Sequence, residues 1–154
     1  MASISLEDLA AHAEWLASNG ATGTKLDKTG QNLTGIDASG AQMSKGHFIG
    51  TTFVDANLSG VNFSGADFSG ATFTGANLTG VDFTGSDLGG VTLDTVNLSG
   101  ADLSAADCSG ATFVNANLRG AKFVGTDLIA ADLSGTERDG TDFTDAVLSD
   151  VRGL

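Results

Sequence analysis

Residues 56–75 read ANLSG VNFSG ADFSG ATFTG, four consecutive units of five residues. Each unit has a large apolar residue at its centre (Leu58, Phe63, Phe68, Phe73) and a small or β-branched residue two places earlier (Ala56, Val61, Ala66, Ala71). Two places after the centre comes glycine (Gly60, Gly65, Gly70, Gly75). A five-residue apolar period fits neither the turn of a helix, about 3.6 residues, nor the two-residue alternation of a strand. It requires a chain that turns a corner once per unit, and glycine permits such corners.

Outward from this stretch the register persists. All nine phenylalanines (Phe48, Phe53, Phe63, Phe68, Phe73, Phe83, Phe113, Phe123, Phe143) share the central position. So do Leu33, Leu58, Leu78, Leu88, Leu93, Leu98, Leu103, Leu118, Leu128, Leu133, Leu148, Met43 and Cys108. The small position continues as Ala76, Val81, Val91, Val96, Ala101, Ala111 and Ala121. A second period of twenty residues lies over the first. Just before the centre, one series is Thr52, Thr72, Thr92, Thr112, the next is Asn57, Asn77, Asn97, Asn117, and another is Asp67, Asp87, Asp107, Asp127. The centres agree, with Leu58, Leu78, Leu98 and Leu118 in one column and Phe63, Phe83, Leu103 and Phe123 in another. Four units therefore make one turn of a four-sided solenoid. About six coils at the strand spacing of ~4.8 Å give a rod on the order of 30 Å long. No coil is stable alone, because its neighbours bury its core and pair its backbone.

The motif A(D/N)LSG, as in Ala56-Asn57-Leu58-Ser59-Gly60 and Ala101-Asp102-Leu103-Ser104, resembles the pentapeptide-repeat family from Gln31 to Leu148 without a register slip. The resemblance implies an all-β solenoid, a right-handed quadrilateral parallel β-helix. It also implies a protein-interaction or scaffold role, with no cofactor. Within the family, quinolone-resistance and topoisomerase-poison immunity proteins look like DNA mimics that bind DNA gyrase. Those proteins are usually longer and dimerise through a C-terminal element, and some act through loops that interrupt the rod; no loop interrupts this chain.

Coil ends are unpaired edges and need caps. Ser5 with Asp8 three residues on marks a helix start, and Asn19-Gly20 a stop. The expectation is a short capping α-helix from about Leu6 to Ser18, within residues 1–20, laying Leu9, Ala13 and Leu16 over the first coil with Trp15 at its margin. The β-helix is expected over 21–150, beginning in a loose coil around Lys25, Leu26, Asp27 and Lys28. A tail follows at 151–154, where Val151 and Leu154 would cover the end or meet a twin in a weak dimer. At Arg138 the central position receives a guanidinium, which cannot be buried unpaired. Either the corner bulges outward, or Arg138 pairs with Glu137 or Asp139 in a frayed last coil.

The formal net charge of −12 repels nucleic acid and anionic lipid and favours a cationic protein partner or solubility. No stretch is apolar for long enough to cross a bilayer, and Met1–Leu16 lacks the basic leader of a secretory signal, so a cytoplasmic location is expected. Only His12 and His47 offer imidazoles, with no triad, metal set or phosphate loop in the pattern. Cys108, in the core register, reads as an inert hydrophobe. The expectation is a protein that is not an enzyme.

The sharpest surface feature is the ladder Asp67, Asp87, Asp107, Asp127, with Asp82, Asp102 and Asp142 on an adjoining face. Stacked like charges repel, and sheets ordinarily avoid them. The ladder is either a negative stripe for a basic partner, a cation-binding row, or a set of turn-capping side chains. The threonine ladder resembles an ice-binding face, but Val54, Thr74, Asp94 and Val114 beside it form no matching second rank.

Overall fold

Nearly every corner of the chain closes in the same way. The computed structural model describes residues 2–154. In it, the carbonyl of a central residue accepts the amide three places on, as from Ala56 to Phe53 (3.1 Å) and from Ala66 to Phe63 (3.0 Å). The third residue of each such turn is left-handed, with φ of 64° at both Gly60 and Gly65. Between corners the backbone runs straight and pairs in parallel with the residue twenty places on, as Thr52 with Thr72 and Asp67 with Asp87. Phe53 N–H donates to Thr72 O of the next coil (2.7 Å), while Thr72 N–H donates back to Thr51 O (3.0 Å). Four faces result, and the fold is a right-handed quadrilateral β-helix.

The ladder is more regular at its start than the loose entry coil expected there, and at its end it runs past the expected boundary of 150. Asp27 already pairs with His47, and Leu26 is buried, so the first coil is in register. At the other end Arg152 pairs with Asp132 and accepts the amide of Leu133 (2.8 Å). The residues expected as a tail from 151 therefore continue the last coil.

Inside the tube the central residues form four columns. Phe48 and Phe68 stack at 4.9 Å, Phe53 and Phe73 at 4.9 Å, and Phe63 and Phe83 at 5.5 Å. Neighbouring columns meet edge to face, as Phe63 and Phe68 do at 4.8 Å, the geometry aromatic quadrupoles favour. All six rings are fully buried, as are Leu58, Leu78, Leu98 and Leu118. The next layer is all leucine (Leu88, Leu93, Leu98, Leu103). Cys108 is buried above it, and burial drives its thiol pKa far up, aided by the charges of Asp107, Asp127 and Asp87. The small inward position takes a hydroxyl at Thr51, Ser86 and Thr126, each bonded to a backbone carbonyl (Lys28, Phe83 and Leu103).

Helix α1 spans Leu6–Ala17. Ser5 and Asp8 cap it reciprocally: Asp8 N–H donates to Ser5 Oγ (3.0 Å) and Ser5 N–H to Asp8 Oδ2 (2.8 Å). The face laid on the coils differs from the expected one. Leu9, Leu16 and Trp15 are half-buried, but Ala13 is exposed and His12 is the one fully buried side chain of the helix. Lys28 occupies a central position, and its ammonium is met by Asp8 Oδ2 at 2.9 Å. A polar residue enters the tube there because the cap supplies its counter-charge.

Arg138 also departs from expectation. Its coil neither bulges nor frays: Thr141 N–H donates to Arg138 O (3.1 Å), and the flanking residues hold Leu118 and Gly120 (2.8 and 3.0 Å). Glu137 and Asp139 pair instead with Arg119 of the coil below, at 3.2 and 3.6 Å. Arg138 is half-buried and completes the column of Leu58, Leu78, Leu98 and Leu118.

Eight corners have a left-handed residue other than glycine, and at one of them it is β-branched. In Leu93-Asp94-Thr95-Val96, β-branched Thr95 is left-handed (φ 57°), a conformation that costs roughly 1–2 kcal/mol outside glycine. Replacing it by glycine, Thr95→Gly, is expected to raise the unfolding free energy by about 1 kcal/mol, read as a higher denaturant midpoint at unchanged slope. Removing a stacked ring, Phe73→Ala, is expected to cost about 3–5 kcal/mol, with loss of the cooperative transition in the coils around it.

Candidate functional site

With the core enclosed, the residue before each centre projects outward, and the four faces acquire distinct chemistry. The aspartate face runs Asp27, His47, Asp67, Asp87, Asp107, Asp127, Val147, and the threonine face Asn32, Thr52, Thr72, Thr92, Thr112, Asp132, Arg152. The asparagine face runs Asp37, Asn57, Asn77, Asn97, Asn117, Glu137, and the mixed face Gln42, Asn62, Asp82, Asp102, Lys122, Asp142. The structure brings Asp67, Asp87, Asp107 and Asp127 into one unbroken column. Asp82 and Asp102 stand around the neighbouring corner, where Lys122 interrupts the row and sits 3.7 Å from Asp102. Burial pulls the Asp102 carboxyl upward, but Ser104 and Lys122 outweigh it, and its pKa settles below the ordinary value.

Each carboxylate of the aspartate face closes its own turn through one oxygen. Oδ1 of Asp67, Asp87, Asp107 and Asp127 accepts the amide two residues on, at 3.0, 3.0, 2.9 and 2.9 Å. Among the described residues no hydrogen bond or cation engages Oδ2 of these four. The positive side chains that do pair are spent elsewhere: Lys28 on Asp8, Arg119 on Glu137 and Asp139, Lys122 on Asp102, and Arg152 on Asp132.

The asparagine face is an internal control. Asn77, Asn97 and Asn117 accept the same turn amide at 3.2, 3.1 and 3.1 Å. The side-chain amides also bond between coils, Asn77 Nδ2 to Asn57 Oδ1 at 3.2 Å and Asn117 Nδ2 to Asn97 Oδ1 at 3.3 Å. Asparagine thus performs the local task of aspartate and adds a bond between coils, whereas stacked carboxylates repel by up to about 1 kcal/mol per pair. Turn capping alone does not account for four charges in a row.

Beside the ladder stand two residues that the sequence reading passed over. Ile49 and Ile129 follow the centre on the aspartate face, where Ser69, Gly89 and Ser109 stand in the coils between them, and each isoleucine is 40 % exposed. They lie four coils apart, roughly 19 Å at the strand spacing. Their signal was an aliphatic residue at an outward position of the aspartate face that carries serine or glycine in the three coils between them.

The remaining candidates resolve into local structure. Thr112 cannot cap its turn as an aspartate would, and Asp94 of the preceding coil accepts Val114 N–H instead (3.0 Å). Asp94 is therefore tied into the threonine face and breaks its regularity. His47 Nε2 lies 2.6 Å from Lys25 Nζ, and its Nδ1 lies 3.8 Å from Asp27 Oδ2. Among the described residues there is no cluster of metal-ligating side chains, and no helix is long and apolar enough to cross a membrane.

The pattern of the Pentapeptide repeats family matches in eight copies across residues 29–60, 52–90, 83–120, 97–135 and 113–150. The chain belongs to the pentapeptide-repeat family. Full-length QnrB1, a plasmid-mediated fluoroquinolone resistance protein, is similar in fold, with a TM-score of 0.56 and 19 % identity over 84 % of this chain and 80 % of that one. A pentapeptide repeat protein from the Arabidopsis thaliana thylakoid lumen is 31 % identical over 70 % of this chain and 68 % of that chain, with a TM-score of 0.47. Rfr23 from the cyanobacterium Cyanothece 51142 is 24 % identical over 83 % and 87 %, with a TM-score of 0.46. No curated protein matches.

If the ladder is held against its own repulsion, salt should reveal it. The variant Asp67→Asn/Asp87→Asn/Asp107→Asn/Asp127→Asn is expected to fold, with a midpoint equal to or above that of the parent at low ionic strength. Raising salt from about 0.01 to 1 M, which shortens the screening length from ~30 to ~3 Å, is expected to stabilise the parent more than the variant in parallel thermal melts.

Proposed function

We propose that this protein is a non-enzymatic interaction scaffold whose aspartate face docks a positively charged surface of a protein partner. The observation that carries this reading is the contrast between two faces of one tube. Asparagine closes the turns on one without charge, while Asp67, Asp87, Asp107 and Asp127 keep four carboxylates whose outer oxygens meet no cation. A rigid row of unneutralised charge accelerates encounter with a cationic partner and orients it. Asp82 and Asp102 widen the negative field around the corner. Ile49 and Ile129 add an apolar anchor at either end of the row, and buried anchors inside a charged rim are where binding energy concentrates.

A second reading is favoured by the spacing of the carboxylates along a straight rod: imitation of a nucleic-acid backbone, with DNA gyrase as the target. Both readings need the same face but differ in the partner.

In a supercoiling assay with purified gyrase, with and without a quinolone, the DNA-mimic reading expects this protein to alter supercoiling or relieve the drug at micromolar concentration. No effect removes that reading and leaves the scaffold. For the scaffold, affinity capture with the parent protein and with the fourfold Asp→Asn variant is the direct comparison. Partners held by the parent should be lost from the variant and released by about 0.5 M salt, and equal capture by the two would end the proposal for this face.

A further inference from the structure

The cap is fastened to the coils by a histidine whose two ring nitrogens are both committed. His12 is fully buried, with Nδ1 accepting the amide of Leu26 (3.0 Å) and Nε2 lying 2.8 Å from the carbonyl of Ser44. An amide N–H can only donate and a carbonyl can only accept, so this pair of partners selects the neutral tautomer with its proton on Nε2. The imidazolium would carry a second N–H at Nδ1, pointed into the N–H of Leu26. It would have to lose both that bond and its buried place. His12 also stacks on Trp15, at 5.7 Å between ring centroids. One ring thus joins the helix to the chain at Leu26 and to the following coil at Ser44.

We propose that α1 is an acid-released latch: protonation of His12 detaches the cap from the first coil and uncovers that end of the tube. Release would expose Leu26, Leu33 and Met43, together with the coil edge where the amides of Asn32, Asp37 and Gln42 have no preceding coil to pair with.

The surrounding charges set the order of events. Burial holds the His12 pKa below its ordinary 6.5, the charge of Lys25 acts in the same direction, and the Ser44 carbonyl works against them. A group lowered on folding stabilises the closed form above its unfolded value, and that stabilisation is lost as pH falls through the folded value. Asp8, on the same helix, is held below its ordinary 3.8 by the Ser5 amide and by Lys28, which pairs with it at 2.9 Å. The cations nearby are Lys25, Lys28 and Lys45, and the Asp27 carboxyl is held below its ordinary 3.8 by the amide and hydroxyl of Thr29. His47, from the coil that supplies Ser44, is the other imidazole of the chain. Its Nε2 accepts from Lys25 Nζ, and a substitution at His47 therefore serves as the control.

The test is amide hydrogen exchange of the full chain from pH 7.5 to 4.5, corrected for intrinsic rates. The expected result is that peptides within residues 2–26 lose protection about tenfold per pH unit below the transition, while peptides within 48–133 keep theirs. His12→Gln has a side-chain oxygen to accept from Leu26 and an NH2 to donate to Ser44, and it is expected to keep the cap closed across the range. His47→Gln is expected to open as the parent does. The proposal is overturned if the parental cap stays protected until the coils unfold, or if His12→Gln opens at the parental pH. Should His12→Gln fail to close at pH 7.5, NMR of the parent decides. Loss of Leu26 amide protection in step with protonation of the His12 ring supports the latch, and protonation with the amide still protected overturns it.

Discussion

Everything in this molecule depends on backbone pairing between residues twenty places apart. That ladder can form only if each coil closes after four corners of equal size, and each corner needs a left-handed residue and a central side chain that fills its share of the tube. The inward positions therefore have little freedom. The outward position before each centre has a great deal, because its side chain contributes to neither the core nor the ladder. A solenoid of this kind separates what makes it fold from what it shows to a partner. Four faces of very different polarity can stand on one unchanging interior.

That separation makes the comparison between faces informative. In most proteins an acidic cluster is hard to interpret, because the charged residues also pack, cap or pair. Here the same backbone position recurs with the same turn geometry, occupied by asparagine on one side and aspartate on another. Asparagine can hold the turn amide as closely as aspartate does, at 2.9 Å on Asn62 and 3.0 Å on Asn32 against 2.9–3.0 Å along the aspartate face. The aspartate face therefore carries the repulsion of a neighbouring carboxylate a coil away, and lacks the inter-coil amide bond, without a shorter turn bond in return. The mixed face shows the alternative that the aspartate face forgoes, since Lys122 placed in the row above Asp102 neutralises it. Between Asp67 and Asp127 no such cation enters the row of carboxylates.

The coils were legible from sequence because their determinants repeat. The placement of Phe63 over Phe83, the four faces and the grouping of Asp67 with Asp87, Asp107 and Asp127 all follow from counting in fives and twenties. What was not legible is what happens once only. Lys28 fills a core position because Asp8, on a helix outside the repeat, reaches it. Arg119 draws Glu137 and Asp139 away from Arg138 across coils, and a reading along the chain paired the nearest neighbours instead. Ala13 looked like the buried residue of α1 by apolar spacing, but the helix is rotated so that His12 enters the interface, a choice set by two backbone groups at Leu26 and Ser44. No period announces such contacts, because each joins segments that the repeat does not relate. The partner of the acidic face is beyond the repeat for the same reason.

The two kinds of contact also respond differently to conditions. Stacked phenylalanine and leucine layers hold across the whole range of pH, since nothing in them titrates. The junction between α1 and the first coil rests on an ion pair and a buried imidazole, with half-buried Leu9 packed against the core beside them. An aliphatic residue at position 12 would not titrate, but it would leave the Leu26 amide and the Ser44 carbonyl without these partners. Histidine instead gives a closure as firm as its two hydrogen bonds while neutral, and one that becomes unfavourable with a single proton. Along its length the interior is held by stacked apolar side chains, while the end where the helix sits is closed through an imidazole, a difference that arises from where polar groups were admitted to an otherwise apolar interior.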